Sequence, residues 1–237
     1  MKIAFLKPHT GGVLGLEMIT FVEPLGLECI AGAVESDGHE CKILDLRIDG
    51  VEPGLAECRD FEPDLVGIQC NFTTERFRTL EMARRIKDDL PDAFLMVGGH
   101  DASREPTWFQ DPLIDAVAIG DGEEILPPVV DALESKTSLE KVPGLMLNTK
   151  GGARFTGHAP ARGNLDELPI PARHLIRRYQ NEYYWNFHKP MAIMETARGC
   201  PFKCNFCSVW KFHESTFREK SPERVVEELS QIEAPHV

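Results

Sequence analysis

The sequence predicts an α/β protein with a doubly wound parallel sheet, followed by a connecting segment and the start of a second domain. Short apolar runs alternate with helical patterns over residues 1–140, and strands separated by such helices pair in parallel through right-handed crossovers. Residues 157–173 are rich in proline and charge, as linkers are. A strand-like run at 191–194 leads into a group of cysteines. We therefore expect divisions at 1–140, 141–190 and 191–237.

Five strands and three helices are expected in the first division. Continuous apolar runs bounded by turn residues indicate buried strands. These runs lie at Lys2–Lys7, 41–46, 64–70, 93–97 and 116–119. Apolar residues at helical spacing predict helices. These patterns lie at 24–35, 74–90 and 123–133.

Ligands of doubly wound sheets bind beyond the carboxyl ends of the strands, so the loops there are the candidate site. Many of their residues are glycines. Glycine supports the positive φ angles of strand-to-helix turns and also lets backbone approach a ligand, so both interpretations stay open. The candidate ligand-binding residues on these loops are His9, Thr10, Gly11, Gly12, Asn71, Thr73, Gly98, Gly99, His100, Asp101, Gly120, Gly122 and Glu123.

The character of the sequence changes after residue 140. Two strand-like runs within 144–156 flank Lys150-Gly151-Gly152 and predict a hairpin, which we expect to lie outside the sheet. An aromatic cluster follows, and it could line a substrate pocket or pack between domains. Its members are Tyr179, Tyr183, Tyr184, Trp185 and Phe187.

The last division begins a βα pattern. Ser221 and Pro222 predict the N-cap and first residue of a helix that continues over 224–232. Residues 234–237 resemble the start of a further strand.

Three cysteines lie close together in the sequence, at Cys200, Cys204 and Cys207. Thiolates are soft ligands for iron–sulfur clusters and zinc, and this spacing lets one loop surround a single metal centre. Three protein ligands would leave one iron of a four-iron cluster open to another molecule. A structural zinc site, with His213 as its fourth ligand, is the alternative.

The pattern Cys-x3-Cys-x2-Cys, with Phe206 before its last cysteine, resembles the signature of the radical S-adenosylmethionine (SAM) enzymes. The resemblance implies that Cys200, Cys204 and Cys207 hold a 4Fe-4S cluster whose open iron chelates SAM. It implies that Phe206 packs near the cluster and offers backbone contacts to the adenine. An electron donor, flavodoxin or ferredoxin, would reduce the cluster so that SAM is cleaved to a 5′-deoxyadenosyl radical.

The resemblance also implies a barrel of βα units and a small-molecule substrate. About one and a half units are present, so the missing remainder of the barrel is expected in the same or another chain. The flank Ser208-Val209-Trp210-Lys211-Phe212 is similar to that of the magnesium-porphyrin cyclase group.

The strand-end loops resemble those of the cobalamin-binding domains fused to such barrels. Gly98-Gly99-His100-Asp101-Ala102-Ser103 is similar to their Gly-Gly-x-His-Ala-Ser/Thr stretch, with Asp101 where histidine is usual. Gly120-Asp121-Gly122-Glu123 is similar to their Gly-Glu-Gly-Glu turn, with Asp121 where glutamate is usual. The resemblance implies cobalamin on a Rossmann- or flavodoxin-like sheet. Because no Asp-x-His-x-x-Gly is present, it implies no protein histidine on the lower face of the cobalt.

These resemblances predict the N-terminal part of a cobalamin-dependent radical SAM enzyme that performs radical methylation or oxidative cyclisation. Two alternatives from other classes stay open. One is a cobalamin-binding or sensor module whose cysteines hold structural zinc, and the other is a flavodoxin-like domain without cobalamin.

Composition limits the other possibilities. The formal net charge of −12 gives no basic surface for nucleic acid. No apolar run approaches the ~20 residues needed to span a bilayer, and Pro8 ends the short N-terminal run. Seven cysteines without a secretory segment indicate a reducing compartment, so we expect a cytoplasmic protein without disulfides.

Overall fold

The computed structural model describes residues 1–9, 19–160 and 163–237, and its centre is a seven-stranded sheet in the order β3-β1-β4-β5-β6-β7-β8. The strands are β1 (Lys2–Lys7), β2 (Thr20–Phe21), β3 (Glu40–Asp45), β4 (Leu65–Gln69), β5 (Phe94–Gly98), β6 (Ala116–Ala118), β7 (Leu145–Thr149), β8 (Gly152–Phe155), β9 (Tyr184–Trp185), β10 (Ala197–Gly199) and β11 (Phe217–Glu219). Strands β3, β1, β4, β5 and β6 are parallel. The doubly wound α/β prediction is confirmed.

Helices cover both faces of this sheet. They are α1 (Leu25–Glu35), α2 (Leu46–Asp49), α3 (Val51–Phe61), α4 (Arg76–Asp89), α5 (His100–Arg104), α6 (Gly122–Glu134), α7 (Val209–Phe212) and α8 (Pro222–Leu229). One hydrophobic core joins α1 and α6 to the sheet, with Leu27 and Val129 fully or almost fully buried. The second joins α3 and α4 to the other face, through Leu55 and Met82.

Helix α3 was not among the predicted helices. Its sequence contains Pro53, which the helix tolerates because it lies in the first turn, and Gly54, which is a poor helix former. Gly54 is needed because a Cβ there would lie 1.9 Å from Leu46 Cδ2. Packing of α3 on the preceding short helix therefore outweighs its weak local propensity.

The hairpin of β7 and β8 belongs to the sheet, which corrects the expectation that the sheet ends before it. Strand β7 pairs antiparallel with β6, placing Leu147 opposite Ala116. Leu145 and Leu147 are buried in the core beneath α6. The hairpin thus extends the apolar surface of the sheet beyond the short strand β6. The division of the chain into domains stays a prediction.

The C-terminal segments form smaller units against this sheet. Strands β10 and β11 make an antiparallel two-stranded ribbon, and β2 pairs with β9. The predicted N-cap of α8 is confirmed, since Ser221 Oγ accepts a hydrogen bond from the Arg224 amide at 3.2 Å. Met191 forms an isolated parallel bridge with His236.

The aromatic cluster divides between core and surface. Tyr179 and Tyr183 are buried in the core beside α1. Burial and the neighbouring Asp45 carboxylate raise the pKa of Tyr183, whose hydroxyl donates to that carboxylate at 3.1 Å. Phe187, in contrast, is 98% exposed. Packing is therefore the role of the two buried tyrosines.

Across the described ranges, no helix has both the length and the apolar character required to cross a bilayer.

Candidate functional site

A cavity of about 290 Å³ lies at the carboxyl ends of β1, β4, β5 and β6, and we call it the strand-end cavity. The chain passes from β1 to β3 on one side and then from β3 back to β4 on the other side of β1, so the direction of winding reverses and opens a crevice between β1 and β4. The wall residues of the cavity beyond the strands are Gly26, Leu27, Ile30, Asn71, Gly99, His100, Gly120, Asp121, Gly122, Glu123, Ile125, Leu126, Glu195, Arg198, Phe212 and His213.

Glycine backbone forms part of the cavity wall. A Cβ on Gly98 would touch only Ala118 Cβ, at 3.5 Å, and one on Gly120 would lie 3.7 Å from Ile125 Cδ1. Side chains at these two positions would therefore project into open space rather than into protein. A wall of bare backbone suits a bulky ligand that packs closely against it, so cobalamin fits this wall.

Gly99 has a different reason to be glycine. Its φ is +111°, and a Cβ would lie 2.7 Å from the Cys70 carbonyl oxygen and 2.5 Å from Asn71 Oδ1. Asn71 Oδ1 also accepts a hydrogen bond from the His100 amide at 3.1 Å. Gly99 is thus required by the packing of two loops on each other, whether or not a ligand is bound.

The loop that carries Asn71 is held by a buried carboxylate. Glu75 Oε2 accepts hydrogen bonds from the amides of Asn71 at 2.7 Å and Phe72 at 3.2 Å. Its other oxygen pairs with Lys7 Nζ at 2.7 Å, and both side chains are buried. The end of β1 is thereby fixed to the end of β4, which sets one wall of the cavity before any ligand arrives.

Thr73 and Asp101, which were predicted as cofactor residues, do not line the cavity. Asp101 is buried and binds Arg76 through two hydrogen bonds, with Arg76 Nε 2.5 Å from Oδ2. Thr73 donates to Asp101 Oδ1 at 2.9 Å. Burial raises the pKa of Asp101, but these hydrogen bonds outweigh it and hold the pKa below its usual value. Asp101 is therefore an ion-pair partner inside the protein.

His100 lines the strand-end cavity and contacts the segment after the cysteines. Its Nε2 lies 2.9 Å from Ser208 Oγ, and its ring centroid lies 4.9 Å from that of Phe212. Burial and the nearby Arg104 guanidinium lower the pKa of His100. The geometry therefore supports a neutral His100 ring that joins the two loops.

The turn from Gly120 to Glu123 also reaches the C-terminal segments. Glu123 Oε1 accepts from Arg198 Nη2 at 2.6 Å, and Asp121 Oδ2 accepts from Arg218 at 3.0 Å. Burial opposes the charged form of Arg198, but the carboxylates of Glu123 and Glu195 outweigh it and raise its pKa. Arg198 is therefore a fixed cation at the cavity wall.

The three cysteines share the loop 200–216 between the ribbon strands. Cys204 is exposed, whereas Cys200 and Cys207 are partly exposed. Phe206 is 89% exposed and does not line the cavity. In the described part of the chain, no three His, Cys, Asp or Glu side chains are grouped closely enough to hold a metal. The thiolate set fits a cluster chemically, but the thiols must converge to bind one.

The zinc alternative needs His213 beside the cysteines. His213 Nδ1 instead lies 3.1 Å from Arg218 Nη2, and its ring stacks edge-on against Phe212. Burial lowers the pKa of His213. A nitrogen this close to a guanidinium is poorly placed for a cation, so this arrangement disfavours a zinc site that uses Nδ1 of His213.

The other four cysteines are dispersed over separate elements. Burial is the main cause that raises the pKa of Cys41, Cys58 and Cys70 to about 12, and it also raises that of Cys29. Thiols held in this protonated state are unreactive core residues. The chemistry of the cysteines is thus confined to the loop 200–216.

The structure brings seven predicted residues together at the strand-end cavity: Asn71, Gly98, Gly99, His100, Gly120, Gly122 and Glu123. His9 follows β1 and is half-buried, while Thr10, Gly11 and Gly12 lie outside the described residues. Sequence reasoning missed the wall residues Ile30, Arg198 and Phe212. Arg198, two residues before Cys200, faces an acidic turn far away in sequence, and this charge complementarity was the one available signal.

Comparisons with known proteins agree with this geometry. The profile of the B12 binding domain family matches residues 12–130, which is half of the chain. The chain is 32% identical over 235 residues to the hopanoid C-3 methylase of Methylococcus capsulatus, covering 97% of this chain and 44% of that protein. It is 30% identical over 246 residues to the anaerobic magnesium-protoporphyrin IX monomethyl ester cyclase of Cereibacter sphaeroides, covering 100% and 39%.

The fold is shared with a solved structure of the radical S-adenosylmethionine methyltransferase TsrM from Kitasatospora setae, with cobalamin and a 4Fe-4S cluster bound. That comparison has a TM-score of 0.74 at 21% identity and covers 96% of this chain and 45% of the other. The chain therefore spans less than half the length of each of these three proteins. The predicted resemblance to cobalamin-binding domains is confirmed, and the chain belongs to the B12 binding domain family.

Proposed function

We propose that this chain is part of a cobalamin-dependent radical SAM enzyme, in which Cys200, Cys204 and Cys207 hold a 4Fe-4S cluster. One observation carries the proposal. Arg198, just before the cysteine loop, and Phe212, within it, form the same cavity wall as the strand-end glycines. A cofactor packed on those glycines and a cluster in the loop would therefore be neighbours.

The chain's own residues position and enclose the two cofactors. Gly98 and Gly120 leave room for cobalamin against the strand ends. His100 and Phe212 close the side of the cavity toward the cysteine loop. When bound, the cluster and SAM supply a radical and cobalamin supplies the group-transfer chemistry.

The reaction is proposed from the relatives. One is named as a methylase and another as a cyclase, so we propose radical methylation or oxidative cyclisation of a small-molecule substrate. A flavodoxin or ferredoxin would be the electron donor. The rest of the barrel, in the same or another chain, would complete the SAM site around Phe206 and supply the substrate contacts.

Anaerobic reconstitution of the 237-residue chain with iron and sulfide, followed by titration with hydroxocobalamin, tests both cofactors. We expect oxygen-labile iron in the wild type and none in the variant Cys200→Ala/Cys204→Ala/Cys207→Ala. Cys41→Ala is the matched control, because Cys41 lies on the edge strand β3 and not in the cysteine loop. This variant should bind as much iron as the wild type.

Hydroxocobalamin should give a saturable change in its absorption spectrum with all three proteins. Equal iron in the wild type and the triple variant would remove the cluster from the proposal. One zinc without iron or sulfide would favour the binding-module alternative. Failure of the folded chain to bind any cobalamin would remove the second cofactor.

A further inference from the structure

The ribbon that carries the cysteine loop has an unfavourable charge arrangement of its own. Arg198 in β10 is directly opposite Arg218 in β11. Like charges opposite each other on antiparallel strands destabilise the pair, and an isolated two-stranded ribbon is at best marginally stable in water. Both side chains are about nine-tenths buried or more. The ribbon therefore needs negative charge from elsewhere in the protein.

The turn after β6 supplies that charge. Asp121 Oδ2 lies 3.0 Å from both Nη1 and Nη2 of Arg218 and 3.7 Å from Arg198 Nη1. Glu123 Oε1 lies 2.6 Å from Arg198 Nη2. Glu195, at the entry to the ribbon, adds a third carboxylate at Arg198 Nε. Hydrogen-bonded ion pairs in such water-poor surroundings are strong only when all members stay in place.

The ribbon transmits this attachment to both ends of the cysteine loop. Gly199 has a φ of +86°, and a Cβ there would lie 2.1 Å from the Thr216 carbonyl oxygen. The two ends of the loop 200–216 are therefore in close contact just beyond the paired arginines. Fixing Arg198 and Arg218 fixes where the loop starts and ends.

We propose that Asp121 and Glu123 are positioning residues. Their carboxylates hold the ribbon of β10 and β11 through Arg198 and Arg218, and thereby keep the cysteine loop at the strand-end cavity. This inference deepens the proposed function and rests on it for the reason why the loop is held in place. The attachment of the loop itself can be measured without either cofactor. The sequence predicted Glu123 as a cofactor-binding residue, and the proposal adds a second role to that prediction. One of its carboxylate oxygens accepts from Arg198, and through this contact Glu123 would set the location of the loop.

Hydrogen exchange of the cofactor-free chain, followed by mass spectrometry, tests the attachment in a double-mutant cycle. The variants are Asp121→Asn, Arg218→Gln and the two combined. We expect each single variant to raise exchange in 200–216 about tenfold, while exchange in β1 and β5 is unchanged. The increase in the combined variant should be well below the roughly hundredfold increase that independent effects would give, because the Asp121–Arg218 pair is already lost in each single variant. Glu140→Gln, which breaks an exposed pair with Arg154, is the control and should leave the loop unaffected.

Unchanged exchange in the single variants would overturn the proposal, and so would a roughly hundredfold increase in the combined variant. If Asp121→Asn also loosens the sheet, a second cycle with Glu123→Gln and Arg198→Gln makes the same distinction with Asp121 in place. Neither cofactor takes part in this readout. If the double-mutant cycle shows the coupling but the protein binds no cobalamin, the positioning role stands and the proposed function fails.

Discussion

The two sides of the strand-end cavity are built very differently. On one side, loops such as Gly98–His100 follow central strands of a seven-stranded sheet with a hydrophobic core on each face. On the other side, the cysteine loop is carried by β10 and β11, each three residues long. The first side is fixed by burial and by hydrogen bonds within the sheet, the second by charged contacts to the first.

This difference separates two tasks of the site. A preorganised wall lowers the cost of ordering when a large rigid cofactor binds. In the proposed function the cysteines would have to converge on a metal centre, and a loop held by a few ion pairs can rearrange more easily than a strand end. Changes on the sheet side should therefore affect global stability, and changes on the ribbon side should affect local order.

The largest effect is expected from adjacent glycines on the sheet side. Gly99→Val should lower the free energy of unfolding by about 3 kcal/mol or more, because it forces a branched residue to a φ of +111° and into the Cys70 carbonyl. Gly98→Val should change stability by less than about 1 kcal/mol, because its Cβ has space. Denaturant titration measures both.

The same pair tests the cavity itself. The folded Gly98→Val protein should bind hydroxocobalamin more weakly than the wild type, since its methyl groups occupy the wall. Gly98→Ala is the graded control and should fall between them. Unweakened binding in Gly98→Val would show that the glycine wall is not the contact surface.

A smaller effect is expected where the two sides join. Glu23 and Glu28 are fully buried around Arg173, and Glu23 Oε1 also accepts the Ile193 amide at 2.8 Å. Glu23 Oε2 and both oxygens of Glu28 have no hydrogen-bond donor among the described residues. Burial and the neighbouring Glu23 raise the pKa of Glu28 to about 8, although Arg173 opposes the shift.

A carboxyl whose pKa is higher in the folded state than in the unfolded state stabilises the fold while it is protonated. That contribution is complete below the usual pKa of ~4.5 and is lost as pH rises through about 8. We therefore expect Glu28 to reduce the free energy of unfolding by about 2 kcal/mol between pH 6 and pH 8. Glu28→Gln should remove this part of the dependence.

Denaturant titrations at pH 6 and pH 8 check the prediction. Glu52→Gln, a change at an exposed side chain, is the control. The same pH slope in Glu28→Gln and in the wild type would contradict it.

The sequence predicted elements whose evidence is local. β5 is a continuous apolar run, and Ser221-Pro222 is a cap whose partner is three residues away, so both were readable. The hairpin was readable too, but alternation identifies a strand without identifying its neighbour. Its pairing with β6 depends on the exposed edge of the sheet, which no local pattern describes.

The sequence predicted the site where backbone geometry decides the residue, and it did not reveal the side-chain contacts that depend on a distant partner. Gly98 and Gly120 lie at the cavity as expected. Asp101 and Glu123 were taken as cofactor contacts, yet they pair with Arg76 and with Arg198, 25 and 75 residues away. A carboxylate in a glycine-containing turn does not reveal its cation when the cation lies in another part of the chain.

The smallest effect is expected behind the ribbon, at the cap of α8. Ser221→Ala removes the oxygen that accepts the Arg224 amide and should cost that helix about 1 kcal/mol. Since β10 and β11 are attached mainly by ion pairs, we expect faster hydrogen exchange in α8 and unchanged exchange in β4 and β5. Ser138→Ala removes an equivalent cap, to the Glu140 amide at 3.3 Å, on the sheet side and is the matched control. If Ser221→Ala speeds exchange equally in α8 and in the central strands, the two sides unfold as one unit and the distinction between them fails.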